Sequence, residues 1–304
     1  MEQSHPTLTS WLLLALLGLI WGSSFLGVEL ALDGFGPVTV AAFRITLAAA
    51  ILTAWAYGAG YGLPDTHTPM GRRIWLGCIG MGLFTNAIPF ALLSWGQQHT
   101  TSGFAGLTMA IVPLFTLVLA HHLVPGERIT WRRAIGFAIG FVGVLVLIGT
   151  SDLTESDGGL WLAKLACVGA AACYATGSII TRRTPQGPFP SFAAGGLIVA
   201  TIVIVPFALL REGVPHAASS IPVLGAVYLG LFPTAFATII LVYVVRTAGP
   251  SFLSLVNYQV PVWAVLIGAV VLNEAVPPQL LWAMLLILTG VAIAQFGRRK
   301  KPVT

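Results

Sequence analysis

The second half of this chain repeats the sequence pattern of its first half. A constant offset of 148 residues relates the best matching stretches, and it pairs Phe104 with Phe252, Leu107 with Leu255 and Pro113 with Pro261. After a slip of one residue, Glu127 aligns with Glu274 and Gly143-Val144 with Gly290-Val291. A weaker match sets Trp21-Gly22-Ser23-Ser24 against Tyr174-Ala175-Thr176-Gly177. The chain therefore consists of two related copies, which constrains it to fold into two related structures.

The composition of the chain indicates that both copies lie in a lipid bilayer. Hydrophobic residues make up 57% of the 304 residues and charged residues only 8%, at a mean hydropathy of +0.90. Soluble domains carry roughly 25% charged residues, so this chain cannot cover itself with a polar surface. The formal charge of +5 comes from scattered basic residues. Because they form no patch, we expect no nucleic-acid partner.

The cysteines and the first apolar run exclude two further classes. Cys78, Cys167 and Cys173 all lie inside apolar runs, without the spacing of a metal site. We therefore interpret them as reduced packing residues and expect neither a metal nor a cofactor. The first apolar run begins near Trp11 without a basic segment or a small-residue cleavage site. It predicts a retained helix rather than a signal peptide.

Ten stretches are apolar and long enough, at about 20 residues, to cross a bilayer. Clusters of Gly and Pro separate several of them. The connections between the third and fourth stretches and between the ninth and tenth are short, so these boundaries are the least defined. The predicted spans are 10–31, 37–57, 74–95, 101–123, 132–150, 160–181, 190–210, 222–244, 250–272 and 278–297.

The basic residues test this assignment, because cytoplasmic loops carry an excess of Lys and Arg. With ten spans, the side that holds both termini receives twelve of them, and the opposite side receives only Lys164 and Arg211. We therefore predict a multi-pass protein of the bacterial inner membrane with both termini in the cytoplasm. Each copy, residues 1–155 and 156–304, contains five spans, so the copies must be inverted. The predicted fold is an all-α membrane protein of ten transmembrane helices in two inverted five-helix repeats, an arrangement typical of secondary transporters.

Several motifs in the two copies resemble those of one family. They are Trp21-Gly22-Ser23-Ser24-Phe25, Pro37 with Phe43-Arg44, the stretch from Gly103 to Pro113 with Glu127, Gly136 and Gly143, and the stretch from Ser251 to Pro261 with Glu274 and Gly290. Their order and spacing resemble EamA-type carriers of the drug/metabolite transporter superfamily, and most of all amino-acid exporters of the YddG kind. The first copy departs from the tighter loop of the second by inserting Pro125-Gly126. The resemblance implies a central cavity lined mainly by helices one, three, four, six, eight and nine.

The helices that the resemblance places around the cavity carry aromatic and neutral polar residues. This combination suits a small, partly apolar, net-neutral solute such as a zwitterionic amino acid. Trp95 and Gln98 are further candidates, although both could be interfacial residues at a helix end, and a serine such as Ser178 could bond its own helix. The candidate substrate-binding residues are Trp21, Ser24, Asn86, Met109, Tyr174, Ser178, Tyr243, Asn257, Tyr258, Gln259 and Trp263.

Three prolines inside predicted spans, Pro89, Pro113 and Pro261, remove helix hydrogen bonds and predict bends. Such bends could gate the pathway or fit a curved bundle, and both interpretations remain open. Small-residue pairs also occur: Gly18 with Gly22, and Gly136 with Gly140. They predict closely approaching helices.

Charges inside the predicted bilayer are few, and each has two interpretations. Arg44, about seven residues into the second span, could contact a substrate carboxylate or could reach outward and pair with Glu29 or Asp33. Glu29 itself could line an exit mouth or be interfacial. Glu127 and Glu274 lie before the fifth and tenth spans, where a carboxylate stabilises a helix N-terminus.

The sequence thus predicts a secondary transporter that exports amino acids, aromatic or otherwise net-neutral, or related small metabolites by alternating access. An efflux carrier for hydrophobic drugs is the alternative. Motifs of membrane-embedded enzymes do not occur in the spans, and rings of charge or repeated filter carbonyl motifs, which are typical of channels, do not occur either. The expected partners are a small-molecule substrate and the lipid bilayer. A monomer suffices for the pathway, and proton coupling and oligomeric state stay open.

Overall fold

The computed structural model describes residues 7–127, 129–149, 158–216 and 219–295, and every regular element in these ranges is helical. The prediction of an all-α protein is thereby confirmed. Nine helices of the described residues are long and apolar enough to cross a membrane, and one shorter apolar helix completes the predicted ten. The helices are α1 Leu8–Leu32, α2 Pro37–Gly58, α3 Pro69–Gln97, α4 Ser102–Leu123, α5 Trp131–Ile148, α6 Gly158–Arg183, α7 Phe189–Glu212, α8 Ser220–Ala248, α9 Val256–Val271 and α10 Pro278–Gln295. The predicted boundary between the copies, at residues 155 and 156, lies outside the described residues.

Local sequence signals set the ends of these helices. Thr101 precedes α4, and its Oγ1 accepts a hydrogen bond from the amide of Phe104 at 3.1 Å, which is a typical N-cap. Pro37 occupies the first turn of α2, where its missing N–H costs nothing. At the other ends, Gly149 and Gly213 follow α5 and α7 with φ of 78°. Glycine adopts this left-handed conformation without steric cost, so these residues end the helices.

Four of the ten helices are interrupted near the middle of the bundle, and one of them is α1, which has a turn at Ser23. α3 and α8 each widen into a π-helical segment, Gly82–Ala87 and Gly230–Phe236, which we call the two wide turns. α4 tightens into a 3₁₀ turn at Met109–Ile111, directly before Pro113 follows at the second position of the next segment. α9 is preceded by the short helix Pro250–Leu253, and a turn joins the two. Pi-helical segments occur often at functional sites because they shift side chains out of the regular helical register.

The ten helices divide into two flanking pairs and a central group. α2 packs along α7, and α5 packs along α10. The backbones of α5 and α10 approach closely because the Cα of Gly136 faces the carbonyl of Gly290 and the amide of Ala294. Gly140 and Gly290 likewise lie against each other, so the glycine pair singled out in the fifth span joins the two copies. The remaining helices, α1, α3, α4, α6, α8 and α9, surround the middle of the bundle.

The outer surface of the bundle is apolar. Large side chains stand out from several helices; Leu76 of α3, Ile202 of α7 and Val270 of α9 are 67%, 66% and 77% exposed. A soluble protein rarely exposes contiguous apolar surface on this scale, whereas lipid is the solvent that such a surface requires. The chain is a multi-pass membrane protein.

Candidate functional site

The two wide turns are a second instance of the internal repeat, and both pack against α2. Gly82-Leu83-Phe84 recurs as Gly230-Leu231-Phe232 at the same offset of 148, which makes Asn86 the counterpart of Thr234. α2 packs against both turns, α6 packs against the turn of α3, and α1 contacts the turn of α8. The middle of the bundle is therefore built around these two segments.

Arg44 of α2 lies in this region, and its side chain is only 6% exposed. Its Nε donates a hydrogen bond to Thr234 Oγ1 in the wide turn of α8 at 3.1 Å. Its guanidinium carbon stands 3.7 Å from the ring centroid of Phe90 in α3, a cation–π geometry. Within the described residues Arg44 forms no ion pair, so the interpretation that it pairs with Glu29 or Asp33 was wrong. The side chain points into the bundle because the wide turn supplies an acceptor there.

Trp21, Ser23 and Tyr228 tie α1 to the wide turn of α8. Trp21 Nε1 donates to the carbonyl of Pro233 at 3.1 Å. That carbonyl is available because a π-helical segment leaves some carbonyls outside the regular hydrogen-bond ladder. The hydroxyls of Ser23 and Tyr228 lie 2.6 Å apart. Tyr228 lies just before the wide turn whose Thr234 accepts a hydrogen bond from Arg44, so the polar groups of this region form one neighbourhood.

Asn86 and Tyr174 belong to the same neighbourhood from the side of α3 and α6. Asn86 is 5% exposed, and its Nδ2 donates to the carbonyl of Met81 at 3.3 Å. Phe90, one helical turn further, lies with its ring centroid 6.4 Å from that of Tyr174. The ring of Phe90 lies between Tyr174 and the guanidinium of Arg44, since it contacts both. Of the predicted binding residues, the structure thus brings together Trp21, Asn86 and Tyr174. Pro89 is buried beside them.

The predicted residues of α9 face other helices. Tyr258 donates its hydroxyl proton to Gln295 Oε1 of α10 at 3.1 Å. Gln259 lies against Gly18 of α1, because a Cβ built there would stand 2.6 Å from Gln259 Oε1. Trp263 contacts Gly22 in the same way, one turn further along both helices. The glycine pair of α1 therefore allows a close contact between α1 and α9. Asn257, at the start of α9, is half-buried.

The other candidates lie away from the wide turns or bond to their own helices. Ser24 Oγ donates to the carbonyl of Trp21 at 2.6 Å, and Ser178 Oγ donates to that of Ala175 at 2.7 Å. Met109 packs at the edge of the main apolar core, and Tyr243 is exposed on α8. Pro113 and Pro261 lie in α4 and α9 as described, the latter inside an uninterrupted helix. Gln98 is exposed, and Trp95 stacks edge-on with His99 at the end of α3.

One end of the bundle, where α1, α3, α7 and α9 finish, is closed by a carboxylate; we call it the Glu274 end. Asn273, after α9, has φ of 54°, and the next amide, that of Glu274, returns to the carbonyl of Gly268 at 3.0 Å. This turn directs the Glu274 carboxylate to the first turn of α4. Its two oxygens accept hydrogen bonds from the amides of Ser102 and Gly103 at 2.7 and 3.1 Å. We call this pair of hydrogen bonds the Glu274 clamp. We expected Glu274 to stabilise the N-terminus of its own tenth span, and this was wrong, because it caps α4 of the other copy.

Glu29 of α1 lies near this clamp. Its Oε2 is sealed inside the bundle without a hydrogen-bond partner. Gln97 Nε2 of α3 donates to the carbonyl of Phe25, one helical turn before Glu29, at 2.9 Å. Glu29 therefore contributes to the packed interior of the Glu274 end.

α4 and α9 are tightly packed at the Glu274 end and diverge toward the other end. All seven residues of Ser102–Thr108 are buried, and a methyl group placed on Gly106 would overlap the Cβ of Ala264. Past the 3₁₀ turn, only two of the twelve residues of Val112–Leu123 are buried. This half of α4 packs on α6, whereas the short helix before α9 packs on α8. The described residues are therefore closed between α4 and α9 at one end and loosely packed at the other, the Glu127 end.

Sequence reasoning did not identify Thr234, Phe90 and the clamp as parts of this region. The offset of 148, applied beyond the fourth and ninth spans, would have paired the two wide turns. The clamp leaves no comparable signal, because Glu274 and Ser102 are 172 residues apart in the sequence.

Comparisons with known proteins agree with the repeat and the fold. The EamA-like transporter family matches residues 9–149 and again residues 161–295. A probable terminal-alkyne amino-acid exporter of Streptantibioticus cattleyicolor is 28% identical over 292 residues, which cover 93% of both chains. The uncharacterized inner membrane transporter YedA of Escherichia coli is 26% identical over 284 residues, 92% of this chain and 88% of the relative. A crystal structure with 23% sequence identity shares the fold at a TM-score of 0.65, covering 94% of this chain and 97% of the other. The family matches each copy separately and nearly the whole chain in total, so the protein belongs to the EamA-like transporter family.

Proposed function

We propose that this transporter exports amino acids or related small, net-neutral metabolites by alternating access of its two inverted repeats. The observation that carries the proposal is the unequal packing of α4 and α9, which are clamped at the Glu274 end and separate at the Glu127 end. An alternating-access carrier requires a bundle that closes one end at a time around a central site. The polar groups of the two wide turns lie between these ends, where such a site belongs.

The distribution of basic residues orients this arrangement in the membrane. Among the described residues, Arg133 and Arg182 lie at the Glu127 end together with Arg72, Arg73, Arg132, Arg183 and Arg246. This end therefore faces the cytoplasm under the positive-inside rule. In this orientation the tightly packed Glu274 end faces outside and the loosely packed end faces the cytoplasm, which supports a carrier that is closed toward the outside. A carrier in this state receives its solute from the cell, and release outside requires the Glu274 clamp to open.

The residues around the wide turns favour a small solute with both apolar and polar parts. Phe90, Tyr174 and Trp21 present aromatic rings, and Asn86 and Thr234 present neutral polar groups. Sites of this kind bind through apolar contact and use a few polar atoms for orientation. The relative from Streptantibioticus cattleyicolor is named as an exporter of an amino acid, which is consistent with this chemistry.

Reconstitution into liposomes tests the proposal. Purified protein is expected to move labelled phenylalanine or leucine in a saturable manner, at rates that can be counted in molecules per second. Lipophilic cations serve as the contrasting probe, and the assay is run with and without a pH gradient to detect coupling. Flux of the cations without flux of any amino acid would reject amino-acid export in favour of drug efflux, and ohmic single-channel currents would reject a carrier altogether.

A further inference from the structure

Arg44 is a buried charge without a counter-ion in the described part of the chain. Removal of a charge from water costs several kcal/mol in a bilayer, so intramembrane cations are rare and are normally paired. The guanidinium keeps its charge in proteins and carries five N–H donors in a planar fork. Thr234 accepts from Nε only. The four remaining N–H groups, on Nη1 and Nη2, have no acceptor among the described residues.

These Nη atoms are also not completely enclosed by protein atoms. Polar atoms that are both sealed and unpartnered do occur in the bundle, for example Thr85 Oγ1 in the wide turn of α3. The Nη atoms of Arg44 are not among them, and neither are Asn86 Oδ1 and the Tyr174 hydroxyl, although no described residue bonds to these atoms. Three polar groups of one neighbourhood therefore present free hydrogen-bonding capacity to the interior of the bundle.

The chemistry of these groups matches the two ends of an amino acid. A planar guanidinium fork binds a carboxylate through two parallel hydrogen bonds, and the Tyr174 hydroxyl can donate a third. The Asn86 carbonyl oxygen can accept from an ammonium group. We propose that Arg44 binds the carboxylate of the transported solute, with Asn86 as the acceptor for its amino group. The inference rests on the proposed function and narrows its substrates to solutes that carry a carboxylate.

The two protein contacts of Arg44 hold its side chain in place without occupying the Nη atoms. Thr234 Oγ1 accepts from Nε and itself donates to the carbonyl of Leu229 at 2.8 Å. The ring of Phe90 covers one face of the guanidinium. Both contacts leave the outer edge of the fork, where a carboxylate docks, without a protein partner. The contacts of Arg44 therefore fix the orientation of its side chain and do not saturate it.

The test compares each amino acid with its amide, which lacks only the carboxylate charge. Phenylalanine and leucine, and their amides, compete against labelled amino acid in proteoliposomes of wild-type protein. The acid is expected to compete roughly ten- to hundredfold better than the amide, the range for hydrogen bonds to a charged group. In Arg44→Gln this preference is expected to fall to within about twofold. The exposed Arg211 provides the matched control, because Arg211→Gln should retain the wild-type preference.

Each result separates this inference from the proposed function. Absence of amino-acid transport by the wild-type protein rejects the function itself. Transport with equal competition by acid and amide leaves the function intact and overturns the role of Arg44, and so does a preference that survives in Arg44→Gln. Should that variant not fold, Arg44→Lys keeps the charge without the planar fork. Its preference is expected to fall at least about threefold, and an unchanged preference contradicts the proposal.

Discussion

Glu274 and Glu127 occupy matching positions in the two copies, but their carboxylates have different partners. Glu274 accepts two amide hydrogen bonds from the start of α4 and joins the copies. Glu127 lies at the loosely packed end, where its oxygens bond to Arg133 at 3.3 Å and Arg182 at 3.1 Å. The same local sequence pattern therefore occurs at the tightly packed end in the second copy and at the loosely packed end in the first copy.

The sequence differences between the copies explain why the Glu274 end is the closed one. The counterpart of Ser102 is Pro250, which has no N–H, so Glu127 could find only one amide at the equivalent place. Gly106, which allows α4 to contact Ala264, has the larger Ser254 as its counterpart, and Ala264 corresponds to Thr116. Closure at the Glu127 end would thus have fewer hydrogen bonds and a less intimate helix contact. The comparison teaches that a carrier can favour one state through a few asymmetric residues.

The largest expected effect comes from Glu274→Ala. The change leaves two amides of α4 without a partner, at a cost of about 3 kcal/mol in favour of the open arrangement. Hydrogen exchange of the segment Ser102–Thr108 is then expected to accelerate by roughly a hundredfold. Mass spectrometry of the protein in lipid nanodiscs measures this directly.

Glu212→Ala is the matched control for the clamp. Glu212 of α7 caps α2 in the same manner, accepting from the amides of Val38 and Thr39 at 2.9 and 2.8 Å, but it joins a flanking pair. Its removal should accelerate exchange at the start of α2 and leave Ser102–Thr108 protected. Equal effects of both variants on α4 would contradict the special role of the Glu274 clamp.

The contacts of Glu274 and Arg44 also show what the sequence can and cannot predict. The ten spans and the break near Pro113 follow from local hydropathy and proline chemistry, which a pattern reveals directly. The partners of Glu274 and Arg44 do not, because they depend on which helices meet after packing, 172 and 190 residues away. Similarly, the polar run at Asn257, Tyr258 and Gln259 was predicted from polarity alone, and polarity does not specify which neighbour each side chain contacts.

A smaller effect is expected from Gly106→Ala. The added methyl group overlaps the Cβ of Ala264 and stands 3.3 Å from the ring of Phe25, so α4 and α9 must separate slightly. Overpacking of this kind costs about 2 kcal/mol, and exchange of Ser102–Thr108 should accelerate roughly thirtyfold. Gly169→Ala in α6 is the control, because its nearest neighbour is 3.8 Å from the new methyl group. The Gly169→Ala protein should be as stable as the wild type or slightly more stable, since alanine favours a helix. If it accelerated exchange of Ser102–Thr108 as much as Gly106→Ala does, close α4–α9 contact would not be the cause of the acceleration.

The smallest effect is expected from Glu127→Gln at the loosely packed end. The side chain of Arg182 is half exposed, so its ion pair with Glu127 contributes roughly 0–1 kcal/mol because water and salt screen it. Exchange at the end of α6, next to Arg182, should therefore rise less than about fivefold, and the difference should disappear near 1 M salt, where the screening length is about 3 Å. The Glu274 clamp is partly buried and hydrogen-bonded to amides, so Glu274→Gln should keep most of its effect in the same salt. If Glu127→Gln accelerated exchange at its end as strongly as Glu274→Gln does, the two glutamates would stabilise their ends equally. The tight packing of the Glu274 end would then need another cause.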